Sequence, residues 1–556
     1  MLQGRKTYAE VIADFRWDLP KRYNIAVHAC EGWAIRDPER LAILARGPGG
    51  DEPWSYARLS RASNRLANGL AALGVNRGDR VAILLPQSAE TAVTHFAVYK
   101  IGAIALPLAA LFGVEALAYR LIDADVRAIV TNASGLAKLN ELRDRLPNLV
   151  LIISVDGLGE QAVGFDDILA GGRDTFVPVD TGPDDPAMMI YTSGTTGPPK
   201  GALHGHRVLL GHLPGFQFAH EFFPKVGDRM WTPADWAWAG GLLNALMPSL
   251  ALGIPVIAHR FEKFDPEQAF DLIAKYRVRN AFLPPTALKM LRGVEKPRNR
   301  FQFDLRTIGS AGEALGSETY EWAKSELGLT VNEFYGQTEC NIVLGSCAAI
   351  GVTRAGAIGM ATPGHRVAII GSHGQEVPHG SLGQIAVKRP DPVMFLGYWG
   401  RSDATAEKFI GDWMTTGDQG IMDEEGYVFF VGRDDDVITS AGYRIGPAEI
   451  EDSLASHPAV ALAAVVGKPD ELRTEIVKAY VKLRDGFEPL DTLSTSIRDH
   501  VRTRLSAHEY PREIAFVADI PLTTSGKVIR RFFRQAARAE VERDRQFVEL
   551  FNATEA

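Results

Sequence analysis

The chain has 556 residues, 46% of them hydrophobic and 23% charged, a balance that excludes disordered, collagenous and disulfide-scaffold proteins. Its 60 basic and 68 acidic side chains leave a net charge of −8, without the electrostatic footprint of a dedicated nucleic-acid binder. Three cysteines (Cys30, Cys340 and Cys347) are too few for a disulfide framework or a structural zinc site, and they fit a reducing cytoplasm.

At roughly 100–200 residues per domain, the length allows several domains, or one large and one small. The opening residues, MLQGRKTYAEVIADFRW, hold no apolar run of the length a signal peptide needs, so no targeting segment is expected. Residues 55–73 place Leu59, Ala62, Leu66, Leu70 and Leu73 at helical spacing, with Gly74 as the stop. Arg80–Leu85 reads as a strand, 88–100 as a helix and Ala103–Leu106 as a strand, which predicts βαβ units and a largely parallel sheet. Ile101–Val114 is the most apolar run. It is shorter than the ~18 residues of a membrane span and is broken by Pro107, so a buried strand and helix are expected.

Residues 182–201 interrupt the pattern with Gly, Thr, Ser and Pro. Around 385–432, short strands (Gln384–Val387, Tyr427–Val431) alternate with Gly and Asp turns and predict a small antiparallel, β-barrel-like subdomain. The charged run Gly432-Arg-Asp-Asp-Asp436 reads as a domain boundary. Beyond it come a helix over Ala448–Ser456 entered through Pro447, strands at Val460–Val466 and Ile476–Leu483, a helix over 491–505 and a strand at Ile514–Val517. The expected fold is α/β. A large N-terminal domain (1–434) of parallel-type sheets flanked by helices precedes a smaller, mobile α+β domain (435–556).

The strongest local signal is Tyr191-Thr-Ser-Gly-Thr-Thr-Gly-Pro-Pro-Lys-Gly201. Its glycines let backbone approach a ligand, the hydroxyls of Thr192, Ser193, Thr195 and Thr196 supply donors, and Lys200 adds a point charge. Such a loop suits phosphates, although Gly194 and Lys200 do not give a Walker A spacing. The string resembles the phosphate loop of the adenylate-forming superfamily, which includes acyl-CoA synthetases, peptide-synthetase adenylation domains and luciferases. Further segments resemble that family in its own order: Tyr335-Gly-Gln-Thr-Glu339, Thr415-Thr-Gly-Asp418, Gly432-Arg-Asp-Asp-Asp-Val-Ile with Gly442-Tyr-Arg-Ile445, and Pro521-Leu-Thr-Thr-Ser-Gly-Lys527.

The resemblance implies ATP, Mg²⁺ and coenzyme A as reactants, with a small carboxylic acid activated as an acyl-adenylate and then passed to a thiol. It assigns Thr192, Ser193, Gly194, Thr195, Thr196 and Lys200 to the phosphates, Thr338 to the α-phosphate and Glu339 to the metal. A carboxylate beside a phosphate loop needs a cation between them. Gly312, Glu313 and Ala314 on one side, and Glu333, Phe334, Tyr335 and Gly336 on the other, would enclose adenine; in isolation Tyr335 reads equally as core. Asp418 and Arg433 would hold ribose and Arg444 a phosphate. Lys527 would join the attacking carboxylate to the α-phosphate and so is the expected catalytic lysine, beside Thr338 and Glu339. A rotation about Asp435 would then exchange Lys527 for Gly442 and Tyr443, which would line a tunnel for the CoA arm.

Gly336, read against acetate-specific relatives, favours an acid longer or wider than acetate. Trp236 and Trp238 either line the acyl pocket or belong to the core. Trp231-Thr-Pro-Ala-Asp-Trp-Ala-Trp-Ala-Gly-Gly241 departs from the family's stretch at Trp236 and Ala237, and Thr474 stands where relatives carry glycine. A medium-chain, branched or aromatic acid is expected. The alternative is an enzyme that adenylates an amino acid, gripped by Asp235, and loads a carrier protein. A luciferase-like oxygenase fits the pocket segments less well, and a non-catalytic nucleotide sensor would be expected to lose Lys527 or Glu339. His220-Glu and His508-Glu lack the second histidine of a zinc-protease motif. No nucleic acid and no membrane span are expected. The oligomeric state is open, a homodimer included. Lys527 also resembles a lysine that an acetyltransferase and a deacetylase act on in relatives.

Overall fold

Alternation along single strands sets the layering. In Arg80–Leu84, Val81 and Ile83 face one core, while Ala82 and Leu84 face another. In the neighbouring Ala128–Thr131, Ala128 and Val130 join the first core and Ile129 the second. A strand apolar on both faces must be covered on both, as in a parallel sheet flanked by helices. The computed structural model describes residues 2–554 apart from 48, 157–161, 193–197, 434–435, 441–442, 471–472, 506–509 and 524–526, and for residues 47, 439, 443–444, 449 and 544–554 it describes the backbone.

Those strands belong to an eight-stranded sheet. Its order runs from Gly397–Tyr398 through Gly201–Gly205, Pro186–Tyr191, Ile104–Pro107, Arg80–Leu84, Ala128–Thr131 and Leu151–Ser154 to Val163–Gly164. A nine-stranded sheet lies across the first core. Its centre is parallel (Val256–Ala258, Met230–Trp231, Asn280–Phe282, Thr307–Ser310 and the start of Val331–Gln337) and its ends are antiparallel. Helices Tyr56–Ala72, Ala89–Lys100 and Val208–Ala219 fill the space between the sheets: Leu66, Phe96 and Phe216 share one cluster with Ile83 of one sheet and Val256 and Phe282 of the other. The outer faces carry Val114–Asp123 and Ala133–Leu142 on one side and Pro266–Lys275 and Pro285–Leu291 on the other.

The helices begin where side chains can satisfy their free N–H groups. Ser55 accepts from Arg58 N–H and Ser88 from Thr91 N–H, and each such cap contributes about 1 kcal/mol. Gly74 stops the first of these helices with φ +86°, a conformation that suits glycine. Ile101–Val114 differs from expectation. It holds the buried strand Ile104–Pro107, but turns follow, Leu111 is exposed, and the next helix starts only at Val114. Pro107 and Gly113 account for the break.

Val367–Ile370, Leu382–Lys388, Phe409–Ile410, Trp413–Met422 and Val428–Arg433 form a separate five-stranded antiparallel sheet. A last sheet of Ile438–Ser440, Tyr443–Ile445, Val460–Asp470, Thr474–Leu483 and Glu513–Phe516 packs on helices Pro447–Ala455 and Asp491–Arg504 around its own core of Ile450, Val465, Val477, Ile497 and Val501. The fold is thus mixed α/β, a large sheet domain followed by a smaller one. The boundary expected at 434–435 lies outside the described residues. Among the described residues no helix is long and apolar enough to cross a membrane.

Candidate active site

Strands Pro186–Tyr191 and Gly201–Gly205 are antiparallel neighbours, with Tyr191 opposite Gly201. The phosphate-loop string is therefore the connection of a hairpin. Thr192 N–H donates to the carbonyl of Lys200 at 2.9 Å and closes its neck. Ser193, Gly194, Thr195 and Thr196 lie outside the described residues. Lys200 projects its ammonium 5.1 Å from the ring centre of Tyr398.

The second motif lies at the edge of the nine-stranded sheet. Val331–Gln337 turns straight back into Cys340–Gly345, with Gln337 opposite Cys340, so Thr338 and Glu339 are the two residues of the turn. A two-residue turn presents both side chains at the sheet's end with little freedom. Glu339 is 7% exposed, and Tyr398 Oη donates to its Oε1. Mg²⁺ keeps several waters and takes one or two carboxylates together with substrate phosphates. A single buried, oxygen-only donor beside a phosphate loop fits that requirement.

Asp418 comes from the antiparallel sheet and stands opposite Arg433 in register. It is buried, with Arg433 Nη1 3.6 Å from its Oδ1 and Tyr335 Oη donating to its Oδ2. Desolvation pushes its carboxyl above the usual range, against the pull of Arg433, Tyr335 and Lys527. Lys527 closes a turn onto Thr523: its N–H meets Thr523 Oγ1 at 3.0 Å, and its carbonyl accepts from Thr523 N–H at 2.7 Å. Desolvation lowers the Lys527 pKa, while Glu313 and Asp418 attract its charge and oppose the fall. Glu313 follows Gly312, which has φ +104° and open space where a side chain would be. Thr286 Oγ1 donates to Glu313 at 3.2 Å, and desolvation raises the Glu313 pKa. Exposed Ala314 is the next residue. Glu333 lies on the strand that ends at Thr338. Desolvation pushes its pKa up to about 8, opposed by a backbone hydrogen bond from Leu315 and helped by the charge of Asp452.

The structure thus brings together Lys200, Thr338, Glu339, Tyr335, Asp418, Arg433, Glu313 and Lys527 from three sheets and the C-terminal turn. Asp435 and Gly442 lie outside the described residues, and Tyr443 and Arg444 are described only as strand backbone paired with Ser440 and Thr439.

The residues expected at the acyl pocket and the adenine wall stand in different surroundings. A Cβ on Gly336 would stand 2.5 Å from Asn341 Cα and 2.5 Å from Ile342 N. A side chain at this position would press on the backbone of its own hairpin, a reason for glycine independent of the acid. The Phe334 side chain is buried in the inner core, where its ring meets Phe282 at 5.6 Å, so only its backbone is placed to face a nucleotide. Trp236 is fully buried in the same core, the second of the alternatives left open above. Trp238 is half-buried and meets Phe112 edge-on at 5.6 Å. Residues missed from the sequence are Tyr398 and Arg401. Both lie in the stretch Gly397-Tyr-Trp-Gly-Arg401, and their partners, Glu339 and Asp123, are far away in the chain.

Residues 30–399 match the family model of the AMP-binding enzymes, and residues 449–527 match that of the AMP-binding enzyme C-terminal domain. The chain belongs to the AMP-binding enzyme family. Among its relatives, an uncharacterised acyl-CoA ligase of Bacillus subtilis, YtcI, is 32% identical across 92% of this chain and 95% of its own. The human mitochondrial acyl-coenzyme A synthetase ACSM4 is 32% identical across 93% and 91%. Among solved structures, the anthranilate CoA ligase AuaEII in complex with anthranoyl-AMP superposes with a TM-score of 0.87 at 27% identity, covering 94% of this AMP-binding enzyme and 99% of AuaEII.

Proposed function

We propose that this AMP-binding enzyme is an ATP-dependent carboxylic acid:CoA ligase. The acid's carboxylate attacks the α-phosphate of ATP, and diphosphate leaves. The CoA thiol then attacks the acyl-adenylate, and AMP leaves. The observation that carries the reading is the linked set of side chains at the motifs: Tyr398 joins Glu339 to Lys200 of the phosphate-loop hairpin, Tyr335 and Arg433 meet Asp418, and Lys527 lies within range of the charges of Glu313 and Asp418. Two anions must approach one another in the first step. A lysine touching both lowers that barrier electrostatically. Glu339 holds Mg²⁺, which supplies charge neutralisation for the phosphates when bound. Tyr335 and Glu333 line adenine, and Asp418 and Arg433 take ribose.

The second step needs a thiol where Lys527 stands. In our reading the C-terminal domain, residues 435–556, turns about Asp435 after adenylation and brings Gly442 and Tyr443 to the cleft. The acid is medium-chain, branched or aromatic. Similarity to an anthranilate ligase and the aromatic pair Phe112–Trp238 support an aromatic or branched acid. The carrier-loading alternative is weakened by Asp235, whose Oδ1 already accepts Ala237 N–H at 2.9 Å. We place the enzyme in the cytoplasm and take acetylation of Lys527 as its means of control, since a neutral side chain there cannot join the two anions.

The deciding assay is diphosphate release from Mg²⁺·ATP against acids from acetate through C4–C12 straight and branched chains to benzoates and amino acids, with and without CoA. Turnover that needs CoA and peaks at a medium, branched or aromatic acid is expected. A CoA-independent peak at an amino acid would move the enzyme to the carrier-loading class.

A further inference from the structure

The segment Gly397–Arg401 joins the two halves of the site. Gly397–Tyr398 runs antiparallel to Gly201–Gly205, directly after the phosphate loop, with Tyr398 opposite Ala202. Trp399 N–H donates to the carbonyl of Gly201 at 2.8 Å, which extends the contact to the end of the loop. From this edge the side chains reach in different directions.

Tyr398 reaches the turn of the other sheet. Its hydroxyl donates to Glu339, its ring lies 5.1 Å from Lys200 Nζ, and Phe395 backs it edge-on at 5.0 Å. It is 8% exposed, so both contacts are sheltered from water. A hydrogen bond to a buried carboxylate contributes more than a neutral one and fixes the direction of the free lone pairs. Arg401 reaches the outer helix. It stands 2.6 Å from Asp123 Oδ1 and 3.3 Å from Tyr119 Oη. Asp123 accepts from Tyr191 Oη at 2.7 Å, and Tyr119 Oη donates to the carbonyl of Pro199 at 2.9 Å. Tyr191 and Pro199 lie on either side of the phosphate loop. One short strap therefore holds both flanks of that loop and, through Tyr398, the carboxylate of the opposite sheet.

We propose that Tyr398 and Arg401 are positioning residues that set the separation of the phosphate loop from Glu339, so that the phosphates of a metal-bound nucleoside triphosphate meet both at once. The inference rests on the reading of Glu339 as the metal carboxylate. Its consequence is selective. A nucleotide with one phosphate and no metal does not span the gap, whereas Mg²⁺·ATP does.

Calorimetric binding in the absence of acid and CoA tests this, with Mg²⁺·ATP and metal-free AMP as the probes. Tyr398→Phe keeps the ring under Lys200 and removes only the hydroxyl. Arg401→Lys keeps the charge and loses the forked reach. Each variant should bind Mg²⁺·ATP about tenfold more weakly, with a matching rise in half-saturating Mg²⁺ and AMP affinity within about twofold of the parent. Equal weakening for AMP and Mg²⁺·ATP would show a general packing role and overturn the proposal, as would unchanged Mg²⁺·ATP affinity in Tyr398→Phe. Glu339→Gln separates the two layers. If it leaves the Mg²⁺ requirement unchanged, the metal reading fails and the inference with it. If it raises that requirement while Tyr398→Phe does not, the inference alone fails.

Discussion

In the proposed mechanism Lys527 supplies the positive charge of the first half-reaction; desolvation lowers its pKa while Glu313 and Asp418 oppose the fall. Lys527→Ala should cut adenylation about 10²–10³-fold and spare thioester formation from supplied acyl-adenylate; separate assays of the two half-reactions check this. The pH dependence follows from the same shift. Adenylation needs the protonated amine, so kcat/KM for ATP should fall as pH rises through a pKa below the ordinary lysine value. Lys527→Arg should move that alkaline limb upward, whatever its effect on the maximum rate. Thr474 is a second instructive residue. Its φ is +71°, a region costly for a β-branched side chain. Thr474→Gly should therefore stabilise the fold by about 1 kcal/mol, read as a higher denaturant midpoint at unchanged slope.

At the scale of elements, the hairpin Val331–Gly345 decides what the second motif can do. The turn at Thr338 and Glu339 is tight, and the register of the two strands shifts between Tyr335 and Gln337. Backbone fills the place where a side chain on Gly336 would go. Gly336→Ala should cost about 1–3 kcal/mol of stability and slow adenylation through a displaced Glu339, with the ranking of acids by chain length unchanged. A shift in that ranking would restore Gly336 to the acyl pocket. The hairpin also illustrates how a motif is legible while its geometry is not. Tyr335-Gly-Gln-Thr-Glu339 is plain in the sequence, but the backbone that excludes a side chain at Gly336 comes from Cys340–Ile342, placed there by the irregular register.

Across the whole molecule, side-chain contacts tie the smaller domain to the large one. Asp452, on helix Pro447–Ala455, accepts from Ser317 N–H and Oγ at 3.2 Å each and so ties this helix of the smaller domain to the start of helix Ser317–Trp322 in the large domain. Beside the expected hinge, Asp436 is held by Arg534 at 2.7 Å and by Arg530 at 3.6 Å, and Arg530 also pairs with Glu451. Removing the Asp452 contact should loosen this docked state alone. Asp452→Ala is expected to slow adenylation about 3–10-fold, the equivalent of one or two exposed charge-assisted hydrogen bonds, with thioester formation unaffected or faster. Gly442→Leu should do the reverse, with diphosphate release retained and acyl-CoA formation lost. Asp435→Pro should restrict the exchange, and unchanged rates of both half-reactions would count against rotation about that residue.

The sequence by itself determined the local and the chemical. Period-two and helical spacing place helix 56–72, strand 80–84 and helix 89–100 within a residue or two, because each buries a continuous apolar face. Short strings of special residues mark the phosphate loop, the Thr338-Glu339 turn, Asp418 and Lys527, because those chemistries depend on residue type and local backbone. Tertiary structure alone decided which of these groups meet. Trp236 and Trp238 read alike in the sequence, yet one is sealed in the core and the other meets Phe112, since burial depends on which sheet closes over each. Tyr398 and Arg401 gain their meaning from Glu339 and Asp123, 59 and 278 positions away. No local pattern encodes a contact of that separation; it exists only once the strap Gly397–Arg401 is laid along the edge strand that follows the phosphate loop.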